Sequence, residues 1–377
     1  MHIIIYESSA FGGCYNYSIE LLEHYSKHVD IESCKLIIPA NASFKNENAK
    51  NILLNELKIK NKIISRLYFL FRIFVNPFIL FLYLLLQKPS IILLNDFEQL
   101  SAFVWVPVYR LFMRRHKFAI FLHDIDRDNY PPSYRFTKFS MRLIMNLCQY
   151  AFYHDYLPDK EYYRKTRAKY FSVPHGIYKK AEPDQTLLNQ LQSFKSPKTF
   201  FFSMIGNIRH EKNYHLLIQS LTKFENIKLI IAGLASNSSV NINEFKIEAK
   251  KLNVENKIIW IEKYLSPHEI SSIISLSDII VLYYAKTFTS QSAILSQIAE
   301  FKKPVLASDT LSSMSQTVKK YGLGELADAD SLDALVKTID LMLHNDLAIY
   351  QNGWDNYLEI ATWQNHIEIA VNAFKNY

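Results

Sequence analysis

Along this chain, short runs of β-branched and aromatic residues alternate with longer segments whose apolar residues recur at helical spacing. In the first half the runs are HIIIY from His2, CKLIIP from Cys34, SIILLN from Ser90, KFAIFLH from Lys117, YAFYH from Tyr150 and KYFSVP from Lys169. The second half repeats the plan with TFFFSMIG from Thr199, IKLIIAG from Ile227, KIIWIE from Lys257, DIIVLYY from Asp278 and PVLAS from Pro304. Strands alternating with helices predict parallel sheets with crossover connections, so the expected class is α/β with two doubly wound, Rossmann-like sheets in tandem. The polar, proline-containing stretch KKAEPDQTLLNQLQSFKSPK marks a linker over residues 178–198, between a first domain (1–177) and a second (199–350). Residues 351–377 read as helix, with Trp354 and Trp363 positioned to dock on another surface, expected to be the first domain.

One segment breaks the rhythm. From Ile63 to Leu94 the chain is almost continuously apolar, interrupted by Arg66, Arg72 and Asn76-Pro77. Its clean run, Phe78 to Leu86, is less than half of the ~20 apolar residues a bilayer span needs, which disfavours spanning. Two other readings remain. The segment is a buried helix pair leading into a core strand, or it lies on an anionic membrane surface with Lys58, Lys60, Lys62, Arg66 and Arg72.

Composition narrows the field without deciding it. A chain of 377 residues accommodates two domains with separate cores, and 24 Tyr with 25 Phe exclude a disordered chain. Cys14, Cys34 and Cys148 are widely spaced and odd in number, which gives neither a disulfide framework nor a zinc site and fits a reducing compartment. The start, MHIIIYESSAFGG, lacks the basic and long apolar regions of a signal peptide and reads as part of the fold. A net charge of +7 points to an anionic partner. The basic residues are spread through the sequence rather than set in one stripe, so nucleic acid is not the expected one.

In open α/β sheets ligands bind beyond the carboxyl ends of the strands, so candidate chemistry is sought there. After the first run, Gly12 and Gly13 allow backbone N–H groups to approach a phosphate or sugar, although an ordinary strand-to-helix turn uses the same pair. After TFFFSMIG, the loop GNIRHEK places Arg209 and Lys212 three residues apart at a helix start. Cations there oppose the helix dipole and call for an anion, which suits a diphosphate. KFAIFLH delivers His123 and Asp124, followed by Asp126, Arg127 and Asp128. A histidine and carboxylate at that point can orient or deprotonate a hydroxyl, or simply cap the next helix. Thr289, Ser290, Gln291 and Ser292 follow DIIVLYY and offer further donors, more than one helix cap requires.

On these motifs the chain resembles the GT-B glycosyltransferases of the large retaining group that builds bacterial polysaccharides and glycolipids. SMIGNIRHEKNYHLLIQSL is similar to that family's G-x-I-R-x-x-K loop, and IKLIIAG, KIIWIEKYLSPHEI, SDIIVLYY and KKPVLASD follow in its order. The amino half matches through the Gly-Gly turn, the His-Asp pair and VPHG from Val173. The resemblance implies two Rossmann-like domains facing a cleft and a nucleotide-diphosphate sugar as co-substrate, with no metal or other cofactor. It implies a glycolipid or oligosaccharide acceptor and a peripheral, cytoplasmic position on the inner face of the plasma membrane. Gly12, Gly13, Arg209, Lys212 and Ser290 to Ser292 would then hold the diphosphate, and Glu262, Tyr264 and Leu265 the nucleoside. His123 and Asp124 would be catalytic. One departure stands out: the family's E-x7-E glutamates fall on Thr289 and Gln297, as in a subgroup whose S-Q-S-G start resembles SQSAILSQIAEFKKPV. A GT-B-like nucleotide-sugar epimerase, or an inactive transferase fold serving as a membrane-associated binding subunit, are the alternatives.

Overall fold

The computed structural model describes residues 1–57, 59, 61–127, 133–236 and 240–376. Lys58, Lys60 and Asp128, named above, lie outside the described residues. The chain divides into two units, Met1–His175 with Trp363–Tyr377, and Gly176–Thr362.

In the first unit the elements are β1 (His2–Tyr6), α1 (Gly13–Lys27), β2 (Ser33–Pro39), β3 (Ala49–Leu53), α2 (Lys62–Leu85), β4 (Ile91–Leu94), α3 (Ala102–Phe112), β5 (Lys117–Phe121), α4 (Tyr134–Leu147), β6 (Tyr150–Tyr153) and β7 (Lys169–Ser172). The strands form one parallel sheet in the order β3-β2-β1-β4-β5-β6-β7.

The second unit runs α5 (Gln185–Gln192), β8 (Phe200–Ile205), α6 (Tyr214–Ser220), β9 (Ile227–Ala232), α7 (Ile242–Lys251), β10 (Ile258–Ile261), α8 (Pro267–Leu276), β11 (Ile279–Leu282), α9 (Ala293–Ile298), β12 (Val305–Asp309), α10 (Ser313–Tyr321), β13 (Gly324–Asp328), α11 (Leu332–His344) and α12 (Gln351–Ile360). Its parallel sheet is ordered β10-β9-β8-β11-β12-β13, with an apolar core on each face. Both sheets are doubly wound, as the alternation of strand and helix runs predicts.

The last helix, α13 (Trp363–Asn376), belongs to the first unit. It packs on α1, β6 and β7, with the Phe374 ring 5.1 Å from that of Tyr150 and 5.6 Å from that of Phe152. Within residues 178–198, expected as a linker, α5 is capped by the Asp184 carboxylate, which accepts from the Leu187 N–H. It buries Leu187 and Leu191 against the second unit's core and packs on α8.

Two strands have no counterpart in the predicted runs. β3 (AKNIL) and β13 (GELAD) are edge strands, half exposed and mixed in polarity, so neither forms an apolar run. Edge strands need not be apolar on both faces.

The apolar segment is one 24-residue helix, not a buried pair, and it continues through Pro77. Proline cannot donate to the carbonyl four residues earlier. That carbonyl, on Ile73, instead accepts the Ser101 hydroxyl at 2.5 Å. Asn76 accepts the Leu54 N–H at 3.0 Å, and the Pro77 carbonyl accepts the Tyr109 hydroxyl at 2.6 Å, so the turn that reads as a break is tied down on three sides. Arg115 closes the far end by donating to the Leu84 and Leu85 carbonyls. Between Lys62 and Phe71 no residue of α2 is buried.

Removing the Ser101 hydroxyl strands the Ile73 carbonyl, so Ser101→Ala is expected to cost about 1–2 kcal/mol in urea unfolding. Pro77→Ala, which restores an N–H to the same carbonyl, should recover most of that loss in the double variant. Additive costs would show that the hydroxyl does not serve this carbonyl.

Candidate functional site

In each sheet the winding reverses beside the first strand, between β1 and β4 and between β8 and β11. There the crossover connections leave in opposite directions and the strand ends stay open to a ligand. Polar residues collect at both places.

In the first unit Tyr6 pairs with Leu94, so Glu7 and Asn95 emerge side by side. Both are buried. The Glu7 carboxylate accepts the Ser9 N–H at 2.8 Å and the Asn95 amide at 2.6 Å, while the same amide donates to the Cys14 carbonyl at 2.9 Å. With its NH2 group so committed, Asn95 turns Oδ1 toward His123 Nε2, 2.9 Å away. An acceptor there requires Nε2 to carry the proton, which makes Nδ1 the ring's acceptor atom. Burial, reinforced by neighbouring His154, His175, Arg127 and His366, holds the His123 pKa well below the ordinary histidine range. The ring is neutral at physiological pH, fit to accept from a hydroxyl.

Around Tyr17 the rings of His123, His154, His175 and His366 stand 4.6, 5.7, 5.1 and 5.7 Å from its centroid, with Trp363 at 4.9 Å. Burial also lowers His154, and lowers His366 to about 3. Opposite in sign are the carboxyls beyond β1 and β4. Burial, then the charge of Asp96, raises Glu7, and the same causes raise Glu98 to about 8. Tyr6 donates to Glu98, and Ser8 donates to Asp96 at 2.5 Å. Asp124 is half-buried beside His123. Gly12 has φ 97°, a conformation that favours glycine, and a side chain at Gly12 or Gly13 would meet only open space. That leaves room for a ligand against the start of α1.

In the second unit Ile205 pairs with Ala232, so Gly206 and Gly233 are the next residues out. Gly233 has φ 148°, and a Cβ there would lie 2.1 Å from the Gly206 carbonyl oxygen. The two loops meet backbone to backbone. Gly206 has φ 94°, which turns the chain so that Lys212 folds back beneath it and donates to the Ile205 carbonyl at 2.7 Å. Lys212 is buried, and burial with the charge of Arg209 depresses its pKa to about 7. Arg209 keeps a buried Nε with no hydrogen-bond partner among the described residues, its guanidinium 5.9 Å from the Phe288 ring centroid.

The segment after β11 faces these cations. Tyr284 lies 5.7 Å from the Lys212 ammonium, and its hydroxyl is 3.2 Å from that of Ser292. Gln291 accepts the Ser292 N–H at 2.9 Å and donates to Thr317 at 2.9 Å, while the Ser290 carbonyl accepts from the Met314 N–H at 3.3 Å. Gln297 Oε1, at one of the two glutamate positions, is buried with no partner among the described residues. Arg209, Lys212 and Ser290 to Ser292 are thus brought together, whereas Gly12, Gly13, His123 and Asp124 belong to the first unit.

Glu262, Tyr264 and Leu265 follow the edge strand β10. Glu262 pairs with Lys246, Leu265 is buried in the core, and Tyr264 is 72% exposed. Among the described residues no group of three or more His, Cys, Asp and Glu side chains is arranged to hold a metal ion. Site geometry adds Glu7, Asn95, Glu98, Tyr17 and Gly233 to the residues picked out in the sequence. For Glu7, Asn95 and Gly233 the signal is a polar residue or glycine directly after an apolar run, as in SIILLN and IKLIIAG; Glu98 and Tyr17 carry none.

Gly233→Ala forces a methyl group into the Gly206 carbonyl and should cost at least about 2–3 kcal/mol, measured by denaturant unfolding. The buried ionisable groups predict the pH profile of stability. Depressed histidines contribute stability that is present above their unfolded pKa near 6.5 and lost as pH falls toward 3. Raised carboxyls contribute stability that is present below about 4.5 and lost as pH rises through 8. The two offset each other between 4.5 and 6.5, so stability should decline on either side of that window. Glu98→Gln should flatten the decline between pH 6.5 and 8 and leave the acid side alone.

Residues 188–358 match the model of a family described as glycosyl transferases group 1. No curated protein sequence matches the chain significantly. Among solved structures, HepE from Anabaena in complex with UDP aligns with a TM-score of 0.75 at 13% identity, over 100% of both chains. A glycosyltransferase from Rickettsia africae aligns with a TM-score of 0.71 at 16% identity, over 100% of this chain and 99% of that one. The apo form of WaaB, a lipopolysaccharide outer core galactosyltransferase, gives 0.65 at 15% identity over 99% of each. At such identities the likeness is one of fold. Together with the family match over residues 188–358 of the second unit, it gives this chain the GT-B fold, with a second unit similar to the group 1 glycosyl transferases.

Proposed function

We propose that this protein transfers a sugar from a nucleotide diphosphate to a lipid-linked or polysaccharide acceptor. The observation that carries the reading is the pair Arg209 and Lys212 beneath Gly206, at the point where the second sheet reverses its winding. A buried lysine of depressed pKa and an arginine nitrogen without a partner among the described residues form a site whose electrostatics are incomplete until an anion arrives. A diphosphate supplies that anion, and HepE, with the same fold, holds UDP. WaaB supports a glycolipid acceptor through its own lipopolysaccharide substrate.

Under this reading Arg209 and Lys212 neutralise the diphosphate as the sugar departs, with hydroxyl and amide groups of Ser290 to Ser292 beside them. In the first unit, His123 Nδ1, made an acceptor by the Asn95 contact, is suited to receive a hydroxyl of the acceptor, with Asp124 as the nearby base.

Arg209→Ala and Lys212→Met should each weaken binding of nucleoside diphosphates by about 1.5–3 kcal/mol in calorimetry, the scale of a charge-assisted hydrogen bond. Unchanged affinity for UDP, GDP and ADP in both variants would remove the phosphate assignment. Binding should also take up a proton, because the anion raises a Lys212 pKa that starts near 7. Calorimetry at pH 8 in buffers of different ionisation enthalpy should show uptake in the native protein and none in Lys212→Met. His123→Ala should lower kcat, read as nucleotide release, with little effect on UDP affinity.

A further inference from the structure

Helices α2, α3 and α4 together contain Lys62, Arg66, Arg72, Arg110, Arg135, Lys138 and Arg142, and not one Asp or Glu. Those seven cations equal the net charge of the whole chain, so the positive balance that looks dispersed along the sequence resides in three helices. Three of the seven are spoken for. Arg72 donates to the Ser8 carbonyl at 2.6 Å, Arg110 donates to the Asn146 carbonyl at 3.0 Å, and Lys138 pairs with Glu161. Lys62, Arg66, Arg110, Arg135 and Arg142 are exposed.

The same helices show solvent an unusual amount of apolar surface. Leu67, Phe71 and Leu82 of α2 are 61, 54 and 62% exposed, and Leu111 and Phe112 at the end of α3 are 58 and 61% exposed. These residues form one surface rather than scattered side chains. Phe74 of α2 meets Phe103 of α3 at 6.2 Å, Phe103 meets Phe136 of α4 at 6.3 Å, and Phe81 of α2 meets Phe112 at 6.1 Å. Along α4 one stripe of side chains, Arg135, Lys138, Phe139, Arg142, Leu143 and Asn146, lines a shallow groove of about 330 Å³ that sets three cations beside two apolar side chains.

We infer that this face docks on an anionic phospholipid bilayer. The exposed apolar residues of α2 and α3 enter the acyl boundary, and the α4 groove receives a lipid phosphate between Arg135 and Arg142. Charge complementarity selects this occupant. A second copy of the chain would set seven cations against seven, whereas anionic headgroups over an apolar interior match both layers of the face. The inference does not depend on the donor chemistry above, since it uses none of the site residues.

The test is flotation of the full chain with vesicles of phosphatidylcholine alone or mixed with phosphatidylglycerol. The native protein should float only with the anionic vesicles and be released as salt is raised. Neutralising two groove charges, Arg135→Gln with Arg142→Gln, should reduce binding on the order of thirtyfold. Leu67→Ser with Phe71→Ser should reduce it at least about tenfold. UDP affinity should be unchanged in both variants, which separates this outcome from a failure of the transferase reading. Equal binding to neutral vesicles, or none to either, would overturn the inference. So would membrane retention through alkaline carbonate, which would make α2 a spanning helix, or a dimer that the Leu67/Phe71 variant dissolves.

Discussion

A parallel sheet wound outward in both directions from its first strand must leave one gap where the crossovers part, and this constraint places the chemistry of both units. In the first it sets Glu7 beside Asn95, and in the second it sets Gly206 over Lys212 and beneath the segment that follows β11. Polar groups so placed lie at the rim of an apolar core, where desolvation is strong enough to shift their pKa values and hydrogen bonds must be supplied by neighbours. Burial accounts first for the neutral His123, the depressed Lys212 and the raised Glu98 alike.

Backbone geometry then fixes what those groups can do. Gly233 brings its loop against the Gly206 carbonyl, and the left-handed turn at Gly206 keeps the Lys212 ammonium under the loop instead of in solvent. In the other unit the Asn95 amide, held by Glu7 and the Cys14 carbonyl, settles which nitrogen of His123 carries the proton. Neither arrangement needs a long-range charge network. Each is a chain of two or three hydrogen bonds closed at the end of a strand.

The helices on the outside of the first sheet obey a different balance. α2 buries Ile73, Asn76, Pro77, Leu80 and Leu84 and leaves most of its remaining apolar surface uncovered. Water is a poor partner for that surface, and because α2, α3 and α4 carry no carboxylate of their own, no ion pair forms within or between these helices. A helix made continuous through Pro77 by one serine hydroxyl is what allows the exposed half to extend as a single rod.

The sequence alone determined the class, eleven of the strands and the loops that matter, because a strand covered on both faces must be apolar and the residue after it is where polarity returns. Gly206, Arg209, Lys212, His123 and the run from Ser290 are visible in that way. It did not determine β3 or β13, since an edge strand need not be apolar, nor the helix through Asn76-Pro77, since Ser101 lies some two dozen residues downstream. Tertiary structure decided three further things: that Asn95 and Glu7 belong to the His123 site, that His154, His175 and His366 gather around Tyr17, and that the cations of three separate helices share a surface. All three depend on contacts between residues far apart in the chain, which periodicity and local spacing do not encode.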